Sequence, residues 1–470
     1  TDMALPRRRL LTFAKTLAVG SFLAGCTTDG PAGSPTPAPA ETPTPSATPP
    51  ETDSPSPTDA ASPTSSNPST PPTGDAIQWT TRIGQPIRQG PAVHDGIGYI
   101  GGGTNDRATS DEDYHRPDTS ENVTAVALDD GTIEWEYAAP AGIMERPIAT
   151  TAGLFVVIGW TAGVHGVAQR LIRFGSKGTL HWTSESIDSF LSPLTIADGT
   201  VYLGTSDDAY GYEGEQLWAL QTDSGAERWT IEAGDTRTAT VHGGTLYTIE
   251  GGRRTTAFAT VDGTERWHRS MPPGGDGIRV YGDSLYLRSQ TQNANGNYPI
   301  VAVAASDGRE RWRFSVQVDE PFVPTGVVAD DDTVYLTEYD GWVFAVNAAD
   351  GTERWRYSVT GDTRDSPVLA DGTLYVPAMD GRIHAIDAAT GEQRWSWMVN
   401  EFPRITDLTA AGLFVHSGGK RSRESLQLYG HDGTERWSFT HNGELTAPAV
   451  TGTRALVGTA DGSLVALDES

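Results

Sequence analysis

Residues 385–395 read Ala385-Ile386-Asp387-Ala388-Ala389-Thr390-Gly391-Glu392-Gln393-Arg394-Trp395. Apolar residues lead into a polar Asp/Thr/Gly turn, and the chain returns on a tryptophan. This is the pattern of two antiparallel strands joined by a tight connection. Glycine four residues before tryptophan recurs eight times, at Gly131/Trp135, Gly178/Trp182, Gly225/Trp229, Gly263/Trp267, Gly308/Trp312, Gly351/Trp355, Gly391/Trp395 and Gly433/Trp437. The tryptophans are 38 to 47 residues apart. Self-similarity at a period of about 40–45 residues marks a propeller built from four-stranded blades.

One full unit shows the strands. Ser366-Pro367-Val368-Leu369 is followed by an Asp371-Gly372 turn into Thr373–Val376. Asp380-Gly381 then turns into Arg382–Asp387, and Thr390-Gly391 into the strand of Trp395. Nine such units are counted, with second strands centred on Tyr99, Phe155, Tyr202, Tyr247, Tyr286, Tyr335, Tyr375, Phe414 and Leu456. Six of the eight complete units carry alanine ten residues before the tryptophan: Ala125, Ala219, Ala257, Ala302, Ala345 and Ala385. In the ninth unit Ala466 holds that place and no tryptophan follows, whereas Trp79 lies in a strand with no unit before it. The N-terminal strand is therefore expected to complete the C-terminal blade. Such closure removes the open edges of the array. The fold class is an all-β closed propeller.

Residues 387–395 after Ala385-Ile386 match the tryptophan-docking motif of quinoprotein (PQQ-type) propeller repeats. Ala345–Trp355 is a near match, with Asn347 and Asp350 replacing Asp and Thr; Ala302–Trp312 is weaker, with Ala304 at the aspartate position. The resemblance covers residues 76–470. It implies that each tryptophan, Trp79 included, docks between neighbouring blades against the turn glycine. It also implies eight blades as the usual number, with unit two, where Gly175-Ser176-Lys177-Gly178 replaces the usual turn, as the one absorbed differently. The family's dehydrogenases carry adjacent cysteines beside their cofactor, and this chain has a single cysteine, Cys26. No cofactor is expected. The layout is similar to that of the propeller lipoprotein of the bacterial β-barrel assembly machinery, a non-catalytic scaffold.

The formal net charge is −27, which argues against a nucleic-acid partner. Only three of the 34 basic residues are lysines, Lys15, Lys177 and Lys420. An acidic, lysine-poor surface suits a salt-rich environment that screens self-repulsion.

Residues 1–26 read as an export signal with a twin-arginine pattern at Arg7-Arg8 and a lipobox-like Leu23-Ala24-Gly25-Cys26. Cys26 is the expected lipid-attachment residue. Residues 27–75 contain no Lys, Arg, aromatic, Val, Ile or Leu and are expected to be a disordered Pro/Thr/Ser/Ala stalk. These features predict an exported protein held by lipid on the outer face of the cytoplasmic membrane.

The longest insertion, residues 104–118, gathers carboxylates and His115, a composition that could suit a hard cation, but it lacks the ligand spacing and central glycine of a calcium loop and reads as a solvated acidic loop. Gln290–Tyr298 reads as a surface loop, and Asp330-Asp331-Asp332 as a turn rather than a metal site. Asn122-Val123-Thr124 is an N-glycosylation sequon. His94, His165, His242 and His384 have no partner at metal-ligand spacing, so no metal site and no catalytic residue is assigned. The function expected is a monomeric, non-catalytic scaffold that binds protein, glycan or another ligand. The alternative is a divergent PQQ-dependent dehydrogenase or a metal-dependent hydrolase at the channel mouth.

Overall fold

A computed structural model describes residues 76–469 except 85, 103–120, 162–166, 188–189, 192–194, 207–214, 235, 251–253, 271–277, 290–291, 317–321, 400 and 419–422. Nine antiparallel sheets follow one another in chain order, and every secondary-structure element among the described residues is a strand. Each sheet is a blade, numbered here 1 to 9 from blade 1, whose strands are Ala92–His94, Ile97–Gly102, Glu121–Ala127 and Ile133–Ala139. The first strand of blade 1 touches the first strand of blade 2 on one side and that of blade 9 on the other, so the array is a closed ring with first strands at its axis.

The expected closure is present. Ile77–Arg82 pairs with Ser463–Leu467 as the fourth strand of blade 9, and Trp79 lies opposite Ala466 as Trp135 lies opposite Ala125. Leu456, Leu464 and Ala466 of blade 9 pack against Ile100, Val126 and Leu128 of blade 1. Between blades 6 and 7, likewise, Tyr335, Val343 and Ala345 meet Leu374, Val376 and Ile386. The core is thus a set of inter-blade layers, which is why a lone unit cannot bury its own faces.

The eight-blade expectation does not hold: unit two forms its own blade. Gly153–Thr161, Val167–Phe174 and Leu180–Thr183 pair in order, and two short segments, Gly142–Ile143 and Ile148–Thr150, complete the inner edge. Its irregular sequence reflects a turn one residue shorter. In blade 1 the turn closes with Gly131 N–H donating to the Ala127 carbonyl four residues back, whereas in blade 2 Gly178 N–H donates to Gly175, three back. Blade 8 shares the short turn, from Gly433 to Gly430. Register therefore places Arg173 and Leu428 opposite Trp182 and Trp437, where the other complete blades have alanine. These are the two units that lack alanine at the ten-residue spacing.

The tryptophans dock as the resemblance implies. The indole N–H of Trp79 donates to the Leu128 carbonyl of the next blade at 2.9 Å, and that of Trp312 to Ala348 at 2.8 Å. Trp135, Trp182, Trp229, Trp267 and Trp355 do the same onto Ser176, Thr222, Thr260, Ala305 and Ala388. Each ring lies on the turn glycine of that next blade. At Gly351, with φ of 72°, an added Cβ would sit 2.7 Å from the Trp312 ring, so glycine is required both for conformation and for close approach. Trp395 lies on Gly433 and against Trp397, ring centroids 4.2 Å apart. Trp437 differs. Its N–H reaches Thr453, in the first turn of blade 9, at 3.4 Å, because the third and fourth strands of that blade have no turn between them.

Candidate binding face and channel mouth

The ring has two unlike faces. On one lie the connections from first to second and third to fourth strands, such as Asp371-Gly372 and Thr390-Gly391, all short. On the other lie the connections from second to third strands and from each fourth strand to the next blade. On this second face the second strands of blades 1 and 3 end and their third strands begin, with residues 103–120 and 207–214 between them in sequence. Loops on a rigid frame are where binding groups concentrate.

Where the channel opens on this face, charged side chains gather. Arg146, just before the first strand of blade 2, donates from Nε to the Pro91 carbonyl of blade 1 at 2.8 Å and from Nη2 to Pro448 of blade 9 at 3.2 Å. It thereby ties three first strands together across the closing seam. Water reaches Arg146, yet the surrounding blades partly desolvate it and lower its pKa; Asp407, in the first strand of blade 8, opposes that shift by its charge. Burial raises the Glu145 carboxyl beside it. Asp365, entering blade 7, is raised in the same way and is opposed by Arg404, whose Nε lies 3.6 Å from it.

Beneath this rim, carboxylates and one side-chain amide latch the entry segments. Glu121 of blade 1 accepts the Ile143 N–H at the entrance to blade 2. Gln169 of blade 2 takes Leu191 at 2.8 Å, and Glu424 of blade 8 takes Leu445 at 2.7 Å. These three occupy one repeat position, four residues before the residue opposite the tryptophan. Glu338 of blade 6 is fully buried, accepts Val323 N–H at 3.2 Å and Asp340 N–H at 3.0 Å, and burial pushes its pKa up to about 7.

The other candidates separate. Arg7, Arg8, Cys26, His165 and the 104–118 insertion lie outside the described residues. Asn122 is half-buried in the third strand of blade 1 between Gly102 and Ala138, with the sequon's Thr124 fully buried. Asp330 caps its own turn, accepting Asp332 and Thr333 N–H and the Tyr335 hydroxyl. His384 is buried between Asp380 and Gln393, each 3.3 Å away. Among the described residues no three His, Cys, Asp or Glu converge as metal ligands. The Gln290–Tyr298 segment is more than a surface loop: Asn297 is buried, donates to Val316 at 2.7 Å and accepts Phe322 N–H at 3.0 Å, so it fixes the passage into blade 6.

Arg146, Asp365, Asp407 and Glu338 were not singled out by sequence. Pro91, Pro147, Pro367 and Pro448 recur at the start of first strands, and the residue before each marks the mouth. That spacing was a usable signal for Arg146.

Comparison with known proteins places the chain in a family. The family model described as outer membrane protein assembly factor BamB matches residues 119–286 and 296–419. Among solved structures, BamB from Moraxella catarrhalis is 17% identical, covering 69% of this chain and 96% of its own, with a TM-score of 0.48. Sqt1 of Saccharomyces cerevisiae is 10% identical over 84% of this chain and 99% of its own, TM-score 0.50. A europium-containing methanol dehydrogenase is 12% identical over 76% and 86%, TM-score 0.45. No curated protein matches the sequence. With the family model spanning more than half of its length, the chain belongs to the PQQ-type propeller family of the assembly factor BamB.

Proposed function

We propose that this protein is a non-catalytic, surface-anchored lipoprotein whose propeller is a scaffold for a protein or other ligand, bound at the channel-mouth face. The observation that carries the reading is the asymmetry of the ring. The widest sequence gaps between described strands open on one face, while short turns and tryptophan docking occupy the other. Membership of a family described by an assembly factor supports a scaffold role. The lipobox-like Cys26 and the 27–75 stalk support tethering outside the cytoplasmic membrane, and the acid-rich, lysine-poor composition supports a saline environment.

Cross-linking from single sites on the mouth face, such as Arg404→Cys in a Cys26→Ser chain, should capture one envelope component repeatedly. The same label at Asp371, on the turn face, should not. Equal capture from both faces would overturn the assignment. A rise in melting temperature on adding PQQ with Ca²⁺ would overturn the non-catalytic reading in favour of a dehydrogenase.

A further inference from the structure

The chain contains two Asn-Gly pairs, Asn295-Gly296 and Asn442-Gly443, and the function proposed above uses neither. An asparagine followed by glycine can react with its own backbone. The glycine amide nitrogen, once it gives its proton to water, attacks the asparagine Cγ. Glycine favours this step because it has no Cβ to obstruct the approach. The nitrogen must be free of hydrogen bonds, and the backbone must let the side chain turn over it. Both asparagines are exposed, so the two pairs differ only in how the surrounding structure holds them.

Asn295-Gly296 is tied down. Gly296 N–H donates to the Asn293 carbonyl at 3.0 Å, and Gly296 is held at φ of 83°. The Asn293 side chain accepts Asn295 N–H at 2.9 Å and Asn297 N–H at 3.1 Å, and Asn293 N–H closes the loop onto the Asn297 carbonyl at 2.8 Å. Asn293 and Asn297 are in turn bonded by their side-chain amides to Ser315 and Val316. The nucleophile is engaged and the loop is fixed on both sides.

Asn442-Gly443 is the reverse. It lies just past the fourth strand of blade 8, which ends at His441. Among the described residues, neither the Gly443 N–H nor the Asn442 side chain has a hydrogen-bond partner. The Gly443 carbonyl is engaged, 3.3 Å from His441 Nδ1. The imidazole lies against Gly443, where an added Cβ would come 3.2 Å from Cε1. This turn is held at its carbonyl and open at its nitrogen.

We propose that Asn442 is a self-modification site at the entry to blade 9. Gly443 N bonds to Asn442 Cγ, the Cγ–Nδ2 bond breaks, and Nδ2 leaves as ammonia, taking up a proton to balance the one lost from Gly443 N. The product is a cyclic succinimide. Water then adds to one of its two carbonyls. Opening at Cγ restores the main chain with aspartate in place of asparagine. Opening at the Asn442 main-chain carbonyl leaves isoaspartate, whose main chain is longer by a methylene. Either product adds a negative charge. Leu445, just beyond, is latched by Glu424 and bridges Thr459, and Pro448 accepts the bond from Arg146. A methylene inserted at residue 442 displaces this entry segment from its latch. The reaction needs no partner, so it is independent of the scaffold reading.

Incubating the folded chain in mildly alkaline buffer, followed by tryptic digestion and mass spectrometry, tests this. Peptide 437–454, which carries Asn442, should gain about one dalton and resolve into aspartate and isoaspartate forms. It should do so several times faster than peptide 289–309 gains the same mass at Asn295. In denaturant the two sites should convert at similar rates, because the dipeptide is the same and the fold no longer separates them. Equal rates in the folded chain, or faster conversion at Asn295, would overturn the proposal, as would a mass gain in 437–454 that persists in Asn442→Gln. Hydrogen exchange of 445–451 should be faster in the converted chain than in Asn442→Gln incubated alongside it. Equal exchange would overturn the effect on the latch.

Discussion

The two faces of the ring obey different rules. On the turn face, one geometry recurs around the circle: a glycine at positive φ, an indole lying on it, and an N–H reaching across to the next blade. On the mouth face, corresponding places differ from blade to blade. Glu121, Gln169 and Glu424 latch three blades, Glu338 does so differently in blade 6, and Asn297 does it in blade 5. The repeated contact sets the angle between blades and leaves little room for change. The other face need only pass the chain onward, and any polar group that satisfies the entry N–H suffices.

The largest expected effect lies on the uniform face. Trp312→Ala removes a ring lying on Gly351 and the bond to Ala348, and should cost about 3–5 kcal/mol in chemical denaturation. Capture of a partner by the folded fraction should be unchanged. Loss of capture without loss of stability would mean that the docking face is itself a binding face.

Glu338 tests the mouth side. Its pKa is raised from 4.5 to about 7 by burial, so the fold favours the neutral carboxyl. That contribution is complete below pH about 4.5 and is lost as pH rises to about 7, a change of up to about 3 kcal/mol. Stability should fall across that window in the parent and much less in Glu338→Gln. The readout is the difference in slope, which separates titration from the loss of one acceptor. Parallel pH profiles would show that the two N–H groups it accepts keep the carboxylate ionised.

Arg146→Gln removes the bridge from blade 2 to blades 1 and 9 and should cost about 1–2 kcal/mol. The larger consequence should be seen in hydrogen exchange, as faster opening of residues 77–82 at the seam. Smallest is the exposed Glu353–Arg356 pair at 2.7 Å. Arg356→Gln should change stability by less than about 0.5 kcal/mol, and less still in molar salt.

The comparison also explains what could be read in advance. Trp79 opposite Ala466 followed from spacing alone, because a period of one blade leaves a single place for an unmatched strand. The short turns of blades 2 and 8 did not, since a one-residue deletion looks like a degenerate repeat when alanine is sought at fixed spacing. Arg173 and Leu428 show that the register survived while the spacing changed. The role of Asn297 was hidden for another reason: an Asn-rich segment has the composition of a solvated loop until its partners Val316 and Phe322 come from elsewhere in the chain.

By itself, then, the sequence determined the periodic features: strands, turns, ring closure and the docking tryptophans. Each depends on contacts repeated once per blade, and repetition leaves a trace in spacing. The tertiary structure decided that the nine counted units make nine blades rather than eight, and that Arg146 spans three of them beside Asp407. These depend on groups far apart in the chain that meet only when the ring closes, so a local pattern can mark a position such as Arg146 but not its partners.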